Sequence, residues 1–229
     1  MLALILARFA ERRPLPAPFA ARGGNPMRPV FIHISKNAGT SIVSSAGDRI
    51  INAGHRTAAS WVAEHGSEAP LFSAVRHPYD RVLSEYHYRR RRWEDGENNP
   101  HLTNLSLPFD EWVIATYEGD EYRTRSFFEL TGVAYNAHNL VDDVAIWFIS
   151  QVDWLSDSHQ RLLVNDLLRF EHLADDWSTL SAKYDLKDDL VHVNSSPRPL
   201  AAEQQLTPRI RDLIYQYYRS DFDCFGYDH

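Results

Sequence analysis

The sequence lacks three features that would assign it to common classes of protein. Cys224 is the only cysteine among 229 residues, so an intrachain disulfide is impossible and a small disulfide-stabilised scaffold is excluded. None of the eleven histidines lies four residues from another, and we therefore expect no metal site. The N-terminal apolar stretch is interrupted at Arg8, which makes it too short to cross a membrane.

Composition and charge set further bounds. The net charge of −7 argues against a general nucleic-acid binder, and 44% apolar residues suffice for a full core. We expect an N-terminal extension at residues 1–27 and one domain at residues 28–229. Positive charge is concentrated in four arginines at positions 89–92. These would attract an anionic sugar or extend the nucleotide site, or they would form a solvated helix end. We favour the solvated helix end.

The first segment with chemical content follows the apolar run at residues 30–34. Residues 36–41 read Lys-Asn-Ala-Gly-Thr-Ser and are followed by an apolar pattern of helical spacing. We expect a strand, a turn and then a helix, whose unpaired amide groups favour an anion. Gly39 would allow close approach of the backbone, and Lys36 would add a mobile charge. The alternative is an ordinary strand-to-helix turn capped by Thr40.

This first loop differs from the common ATP and GTP loop. In that loop the lysine directly follows the second glycine of G-x-x-x-x-G-K-[ST]. Here Lys36 precedes Gly39, and Thr40 follows it. The order of the lysine and the glycine is therefore inverted, and the usual nucleoside triphosphate loop is excluded.

A second loop has the same plan and follows the apolar run at residues 71–75. Arg76 ends the predicted strand, a proline fits the first helical position, and Ser84 lies eight residues after Arg76. The guanidinium and the hydroxyl would converge on one phosphate group. Arg81 would add charge there or pair with Glu85 one turn further along the helix.

The two loops together resemble the nucleotide-binding motifs of sulfotransferases. Residues 36–41 resemble the 5′-phosphosulfate loop, and residues 76–86 resemble the 3′-phosphate motif, with His77 where Asn or Asp is common. The similarity is closest to Golgi-type carbohydrate (family 2) sulfotransferases and their bacterial relatives, and it spans about residues 28–229. Further matching pieces are Gln151, residues 168–173, residues 194–198, residues 221–222 and residues 225–227.

The resemblance implies a donor, 3′-phosphoadenosine 5′-phosphosulfate (PAPS), and a product, 3′-phosphoadenosine 5′-phosphate (PAP). Lys36 would stabilise the charge that develops on the leaving phosphate oxygen, and no metal would be needed. The residues that the resemblance assigns to the nucleotide are Lys36, Asn37, Ala38, Gly39, Thr40, Ser41, Arg76, Ser84 and Arg198.

A hydroxyl acceptor also needs a general base, which the residues between the two loops offer. His55 lies twenty-one residues before Arg76, close to where the base histidine lies in several sulfotransferases. A neutral histidine accepts a proton near neutral pH. His55 is therefore our first choice for a catalytic base, and His65 and Glu64 are the alternatives.

The order of the predicted elements indicates an α/β fold. Alternating strands and helices predict a three-layer sandwich with a central parallel sheet, and the resemblance implies a P-loop-like sulfotransferase fold. Such folds bind ligands at the carboxyl ends of the strands. Beyond the two loops we expect a helix at residues 107–117, a helix or loop at 142–154, a strand at 162–170, and helices at 171–184 and 206–218.

Function and location follow as hypotheses. The resemblance implies sulfuryl transfer to a hydroxylated acceptor, a carbohydrate by preference, in a bacterial cytoplasmic enzyme without a membrane span. A Golgi-lumen enzyme is the alternative if a membrane anchor has been removed. A nucleotide kinase would need Gly-Lys-[Ser/Thr] and a metal-holding aspartate, whereas a non-catalytic nucleotide-binding protein would lack Lys36 and His55.

Overall fold

The computed structural model describes residues 27–96, 106–118, 140–141, 144–145, 149–191 and 205–229. The strands in these residues are β1 (Val30–Ile32), β2 (Ile51–Asn52), β3 (Leu71–Val75), β4 (Leu140–Val141), β5 (Val144–Ala145) and β6 (Asp166–Arg169). The α-helices are α1 (Gly39–Ala46), α2 (Ala58–His65), α3 (Pro78–Glu94), α4 (Phe109–Tyr117), α5 (Gln151–Leu155), α6 (Leu173–Tyr184) and α7 (Pro208–Phe225). Two 3₁₀ turns are Gly47–Arg49 and Phe170–His172.

Four parallel strands form the central sheet in the order β2-β1-β3-β6. Val30 of β1 lies between Ile51 of β2 and Leu71 of β3 in the register. The chain therefore leaves β1 toward one side of the sheet to form β2, and then crosses to the other side to form β3. A crevice opens at such a reversal, beyond the carboxyl ends of the two central strands.

Both faces of the sheet are covered, as buried parallel strands require. Val30 and Ile32 pack into one core with Ala58 of α2 and Tyr218 of α7. Phe31 points to the opposite face, where it packs with buried residues of α1 and α6 such as Trp177. Helices thus flank the sheet on both sides, which confirms the predicted three-layer α/β architecture.

Two strands are shorter than the sequence predicts. β1 ends at Ile32, because its partner β2 ends at Asn52 and the amide of His33 donates instead to the carbonyl of Gly54. β6 begins only at Asp166. Asn165 still donates its amide to the carbonyl of Leu71 in β3, but the Leu163 amide donates to the carbonyl of Leu155 at the end of α5.

The helices also differ from the prediction in their bounds. The C-terminal helix α7 continues beyond Tyr218, which has non-helical backbone angles, as far as Phe225. The segment left open between helix and loop contains both β5 and the short helix α5. α2 was not predicted, although Thr57 provides a side-chain cap that accepts a hydrogen bond from the amide of Ser60.

Some expectations lie outside the described residues. They concern the extension at residues 1–27, of which only Met27 is described, and the segment that contains Arg198. Among the helices that the structure does describe, none carries an apolar stretch long enough to span a bilayer.

Candidate active site

The two loops singled out in the sequence meet at the carboxyl ends of β1 and β3. The Nη1 atom of Arg76 donates a hydrogen bond to the carbonyl of Lys36 over 3.1 Å. The side-chain amide of Asn37 donates to the carbonyl of Ala74, the residue before the end of β3, over 2.8 Å. Lys36 and Arg76, which are 40 positions apart in the chain, therefore line one crevice. Sheet topology, rather than proximity in sequence, brings the loops together.

The backbone of the first loop is unusual on both sides of Asn37. Lys36 and Ala38 adopt left-handed conformations, with φ of 66° and 61°. Such conformations are strained for residues other than glycine and persist only where the surroundings hold them. Asn37 is 1% exposed, and its side chain donates to the carbonyl of Ala74, so the loop is anchored to β3. Of the two hydroxyl residues at the start of α1, Thr40 is exposed and Ser41 is buried.

Gly39 is required by the packing beneath the loop. A Cβ atom built at Gly39 would overlap the imidazole of His33. That imidazole stacks on Phe31 with a centroid distance of 5.5 Å, and it contacts the ring of His55 at 4.6 Å. The sequence led us to expect glycine for the approach of an anion. The structure adds a steric reason, because Gly39 makes room for the half-buried ring of His33.

His33 is uncharged at neutral pH. Burial, with a smaller contribution from His55, lowers the pKa of His33 to about 4. The carbonyl of His33 lies 2.9 Å from Nδ1 of His55. A carbonyl can only accept, so Nδ1 of His55 carries a proton and donates it, and in the neutral form of the ring the lone pair is on Nε2. His55 therefore has the tautomer that a general base needs.

The alternative bases lie at the end of α2 and have other contacts. The ring of His65 stacks on Trp61 with a centroid distance of 3.9 Å. Glu64 forms a 2.5 Å ion pair with Arg56 and lies 3.7 Å from His65. Among the three candidates, His55 is the one that the described contacts connect, through His33, to the first loop.

Lys36 lies in a crowded cationic environment. Its ammonium group lies 3.6 Å from the centroid of the exposed Tyr88 ring. Burial lowers the pKa of Lys36 to about 8, and the positive charges of Arg76 and Arg91 act in the same direction, whereas Glu85 opposes them. A pKa closer to neutrality makes Lys36 a better proton donor than an ordinary lysine.

Glu85 is the internal counterion of this environment. Its burial disfavours the charged form, but Arg89, Lys36 and Arg81 outweigh that effect and hold the pKa of Glu85 below its ordinary value. Glu85 pairs with Arg89 over 2.5 Å. The buried Arg81 donates instead to the carbonyls of Ser35 and Ile149, over 3.4 and 3.0 Å. Arg81 thus joins the residue before the first loop to a residue just before α5.

The second loop is built around Arg76. Its guanidinium carbon lies 3.9 Å from the centroid of the Phe170 ring, a contact that the sequence did not reveal. Ser84 is half-buried two turns into α3, on the helix where the sequence placed it. The amide of His77 donates to Glu171, and Glu171 in turn accepts from the hydroxyl of Tyr227. These contacts join the C-terminal residues to the second loop.

Gln151 and Asp221 are the site residues to which the sequence assigned no role. Both are buried, with exposed fractions of 0% and 1%. The side chain of Gln151 contacts Asn37, Arg76 and Asp221. Fully buried polar residues in apolar surroundings need partners. In the sequence, Gln151 and residues 221–222 stood out only as matching pieces of the resemblance, and Ser150 before Gln151 caps α5 by accepting from the amide of Asp153.

Two of the four arginines at positions 89–92 form ion pairs within α3. Arg89 and Arg90 form ion pairs with Glu85 and Glu94, each one turn away on the same helix. Across the described part of the chain, no three His, Cys, Asp or Glu side chains converge in a way that could hold a metal ion.

We predict a measurable coupling between Gly39 and His33. Gly39→Ala should lower the free energy of unfolding by about 1–3 kcal/mol, because the new Cβ displaces the His33 ring. His33→Ala removes the overlapped ring, so the double variant should be less destabilised than the sum of the single variants. Urea unfolding of the four proteins measures this coupling. Ser44→Ala, on the exposed side of α1, is the control and should be additive with His33→Ala.

We also predict that stability depends on pH through His33. Unfolded His33 takes up a proton below about pH 6.5, whereas folded His33 does so only near pH 4. Between these values the unfolded state binds more protons, so the free energy of unfolding should fall as the pH falls, by up to about 3 kcal/mol. Urea unfolding at a series of pH values should show a smaller decrease for His33→Leu. Equal pH profiles for the two proteins would contradict the assignment to His33.

Comparison with known proteins identifies the family. Residues 59–228 match a family model described as the sulfotransferase family. The matched residues include the second loop, Gln151 and α7, whereas the first loop and His55 precede them. No curated protein and no solved structure matches the chain. Because the match covers well over half of the chain, and the chain folds as an α/β structure with a central parallel sheet, it belongs to the sulfotransferase family.

Proposed function

We propose that the protein transfers the sulfuryl group of PAPS to a hydroxyl group, on a carbohydrate by preference, with His55 as the general base. The observation that supports this most strongly is the pairing of two cationic loops at the carboxyl ends of β1 and β3, where Arg76 donates to the carbonyl of Lys36. A nucleotide that carries phosphate groups at both its 3′ and 5′ ends would bind to both loops, whereas most nucleotides carry phosphate at one end and would need only one loop.

The chemistry of the two loops fits such a donor. The amide groups at the start of α1 favour the negative charge of a phosphosulfate. The planar guanidinium of Arg76, whose carbon lies 3.9 Å from the centroid of the Phe170 ring, suits a terminal phosphate, with Ser84 as a second donor. Arg198 would contribute to the same phosphate. The positive charges of Lys36 and the arginines would replace the metal ion that a kinase uses.

The residues of the chain would each have a separate part in the transfer. PAPS supplies the sulfuryl group, whose sulfur forms a bond to the acceptor oxygen while its bond to the 5′-phosphate oxygen breaks. Nε2 of His55 would take the proton of the acceptor hydroxyl, since Nδ1 donates to the carbonyl of His33. Lys36 would stabilise the charge on the phosphate oxygen left behind on PAP. No covalent bond to the enzyme is needed.

Nucleotide binding tests the donor. Calorimetry should show that the chain binds PAP at least about tenfold more tightly than ATP, because only PAP carries a 3′-phosphate for Arg76. Tight binding of ATP without a preference for the 3′-phosphate would favour the kinase alternative. Binding of PAP without transfer to any hydroxylated acceptor, in a screen with labelled PAPS, would favour a non-catalytic nucleotide-binding protein.

We expect variants of the site to separate binding from turnover. His55→Ala and Lys36→Ala should each lower single-turnover transfer by about 10²-fold or more, because they remove the base and the charge on the leaving oxygen. Arg76→Ala should mainly weaken the binding of PAP. His65→Ala is the matched control for His55→Ala and should leave transfer nearly unchanged. The opposite result for these two histidines would reassign the base.

A further inference from the structure

One side-chain amide joins the two loops to each other. Oε1 of Gln151 accepts hydrogen bonds from Nδ2 of Asn37, over 2.7 Å, and from the backbone amide of Arg76, over 2.8 Å. Nε2 of Gln151 donates to the carbonyl of Arg76 over 2.8 Å. Asn37 belongs to the first loop, and Arg76 begins the second. Gln151 therefore contacts both loops at once, although it is far from either in the chain.

The orientation of this amide is determined by its partners. The backbone amide of Arg76 can only donate, so the oxygen of the Gln151 side chain must face it. Nε2 of Gln151 also donates to a carboxylate oxygen of Asp221 over 3.2 Å. Asp221 further accepts from the backbone amides of Gln151 and Val152, over 3.0 and 2.9 Å. The helix α7 thus holds α5 and the Gln151 amide in one position.

The first loop depends on an anchor of this kind. Lys36 and Ala38, on either side of Asn37, have strained left-handed backbones. Asn37 itself is anchored by the Ala74 carbonyl and by Gln151. Removal of the Gln151 side chain would take away one of these two hydrogen bonds of Asn37. The position of Lys36 relative to Arg76 would then no longer be determined.

We propose that Gln151 is a positioning residue that holds the two loops at a fixed separation, and that it thereby favours a nucleotide phosphorylated at both its 3′ and 5′ ends. This role rests on the proposed function. Gln151 would not touch the nucleotide. It would act through Asn37 and Arg76, and its effect would be felt only by a ligand that engages both loops together.

The test compares a nucleotide with two phosphorylated ends and one with a single phosphate. In Gln151→Met, which keeps the length of the side chain and removes its hydrogen bonds, we expect the affinity for PAP to fall by about tenfold or more. The affinity for 5′-AMP should change less than about threefold, because that ligand needs only the first loop. Calorimetry with both ligands gives the ratio of the two affinities, which is the quantity that tests the proposal.

A second variant supplies a readout that a loss of stability alone would not change. Gln151→Glu keeps the accepting oxygen, but its ionised form turns a carboxylate oxygen toward Asp221 and the carbonyl of Arg76. Protonation would restore a donor at that oxygen. The quantity compared is the affinity for PAP divided by the affinity for 5′-AMP, in this variant and in the wild-type chain. As the pH falls from 8 to 6, we expect the value for the variant to rise toward the wild-type value. The charged groups around the network are Asp221, Arg76 and Arg81, and they are the same in both proteins.

Ser73→Ala is the matched control. Ser73 is fully buried in β3, and its hydroxyl donates to the carbonyl of Ile32 in β1 over 2.7 Å, so the variant loses a buried hydrogen bond between the same strands without a contact to either loop. Its ratio of the affinities for PAP and 5′-AMP should equal that of the wild-type chain.

An equal loss of affinity for PAP and 5′-AMP in Gln151→Met, or a ratio independent of pH in Gln151→Glu, would overturn the role of Gln151 alone. A wild-type chain with no preference for PAP over 5′-AMP would overturn the proposed function and this role together.

Discussion

The hydrogen-bonded network of Gln151 is the constraint on which the arrangement of the site depends. It joins three segments that are distant in the chain: the first loop through Asn37, the second loop through Arg76, and the C-terminal helix through Asp221. In a buried environment a polar group without a partner costs more than the same group in water, so such a network is stable only when all its members are in place. The geometry of the two loops is therefore coupled to the packing of α7.

The charges above this network explain what the crevice can attract. Lys36 experiences the positive charges of Arg76, Arg91 and Arg89, and the buried Glu85 is the main negative charge that acts on it. The repulsion and the burial together lower the pKa of Lys36 to about 8. An anion bound between the loops would relieve that repulsion. The crevice is thus suited to a multiply charged ligand, although the net charge of the chain is −7.

The sequence predicted well the features that depend on local pattern. Apolar runs of strand length before Lys36 and at residues 71–75 predicted β1 and β3, and the proline after His77 predicted the start of α3. It predicted poorly the features that depend on distant partners. β2 has two residues and exists because it pairs with β1, and Leu163, shortly before β6, bonds to α5 instead of continuing the strand. It likewise missed the steric requirement for Gly39, because nothing in the local pattern places the His33 ring beneath it.

By itself, the sequence determined the kind of fold, the two loops and the order of their chemical groups, because strand and helix periodicity and loop composition are properties of neighbouring residues. Only the tertiary structure decided that the loops share one crevice, that the Nδ1 proton of His55 points to a backbone carbonyl, and that Gln151 connects the site to the C-terminal helix. These are contacts between residues far apart in the chain. They arise from the order of the strands in the sheet and from the need of each buried polar group for a partner.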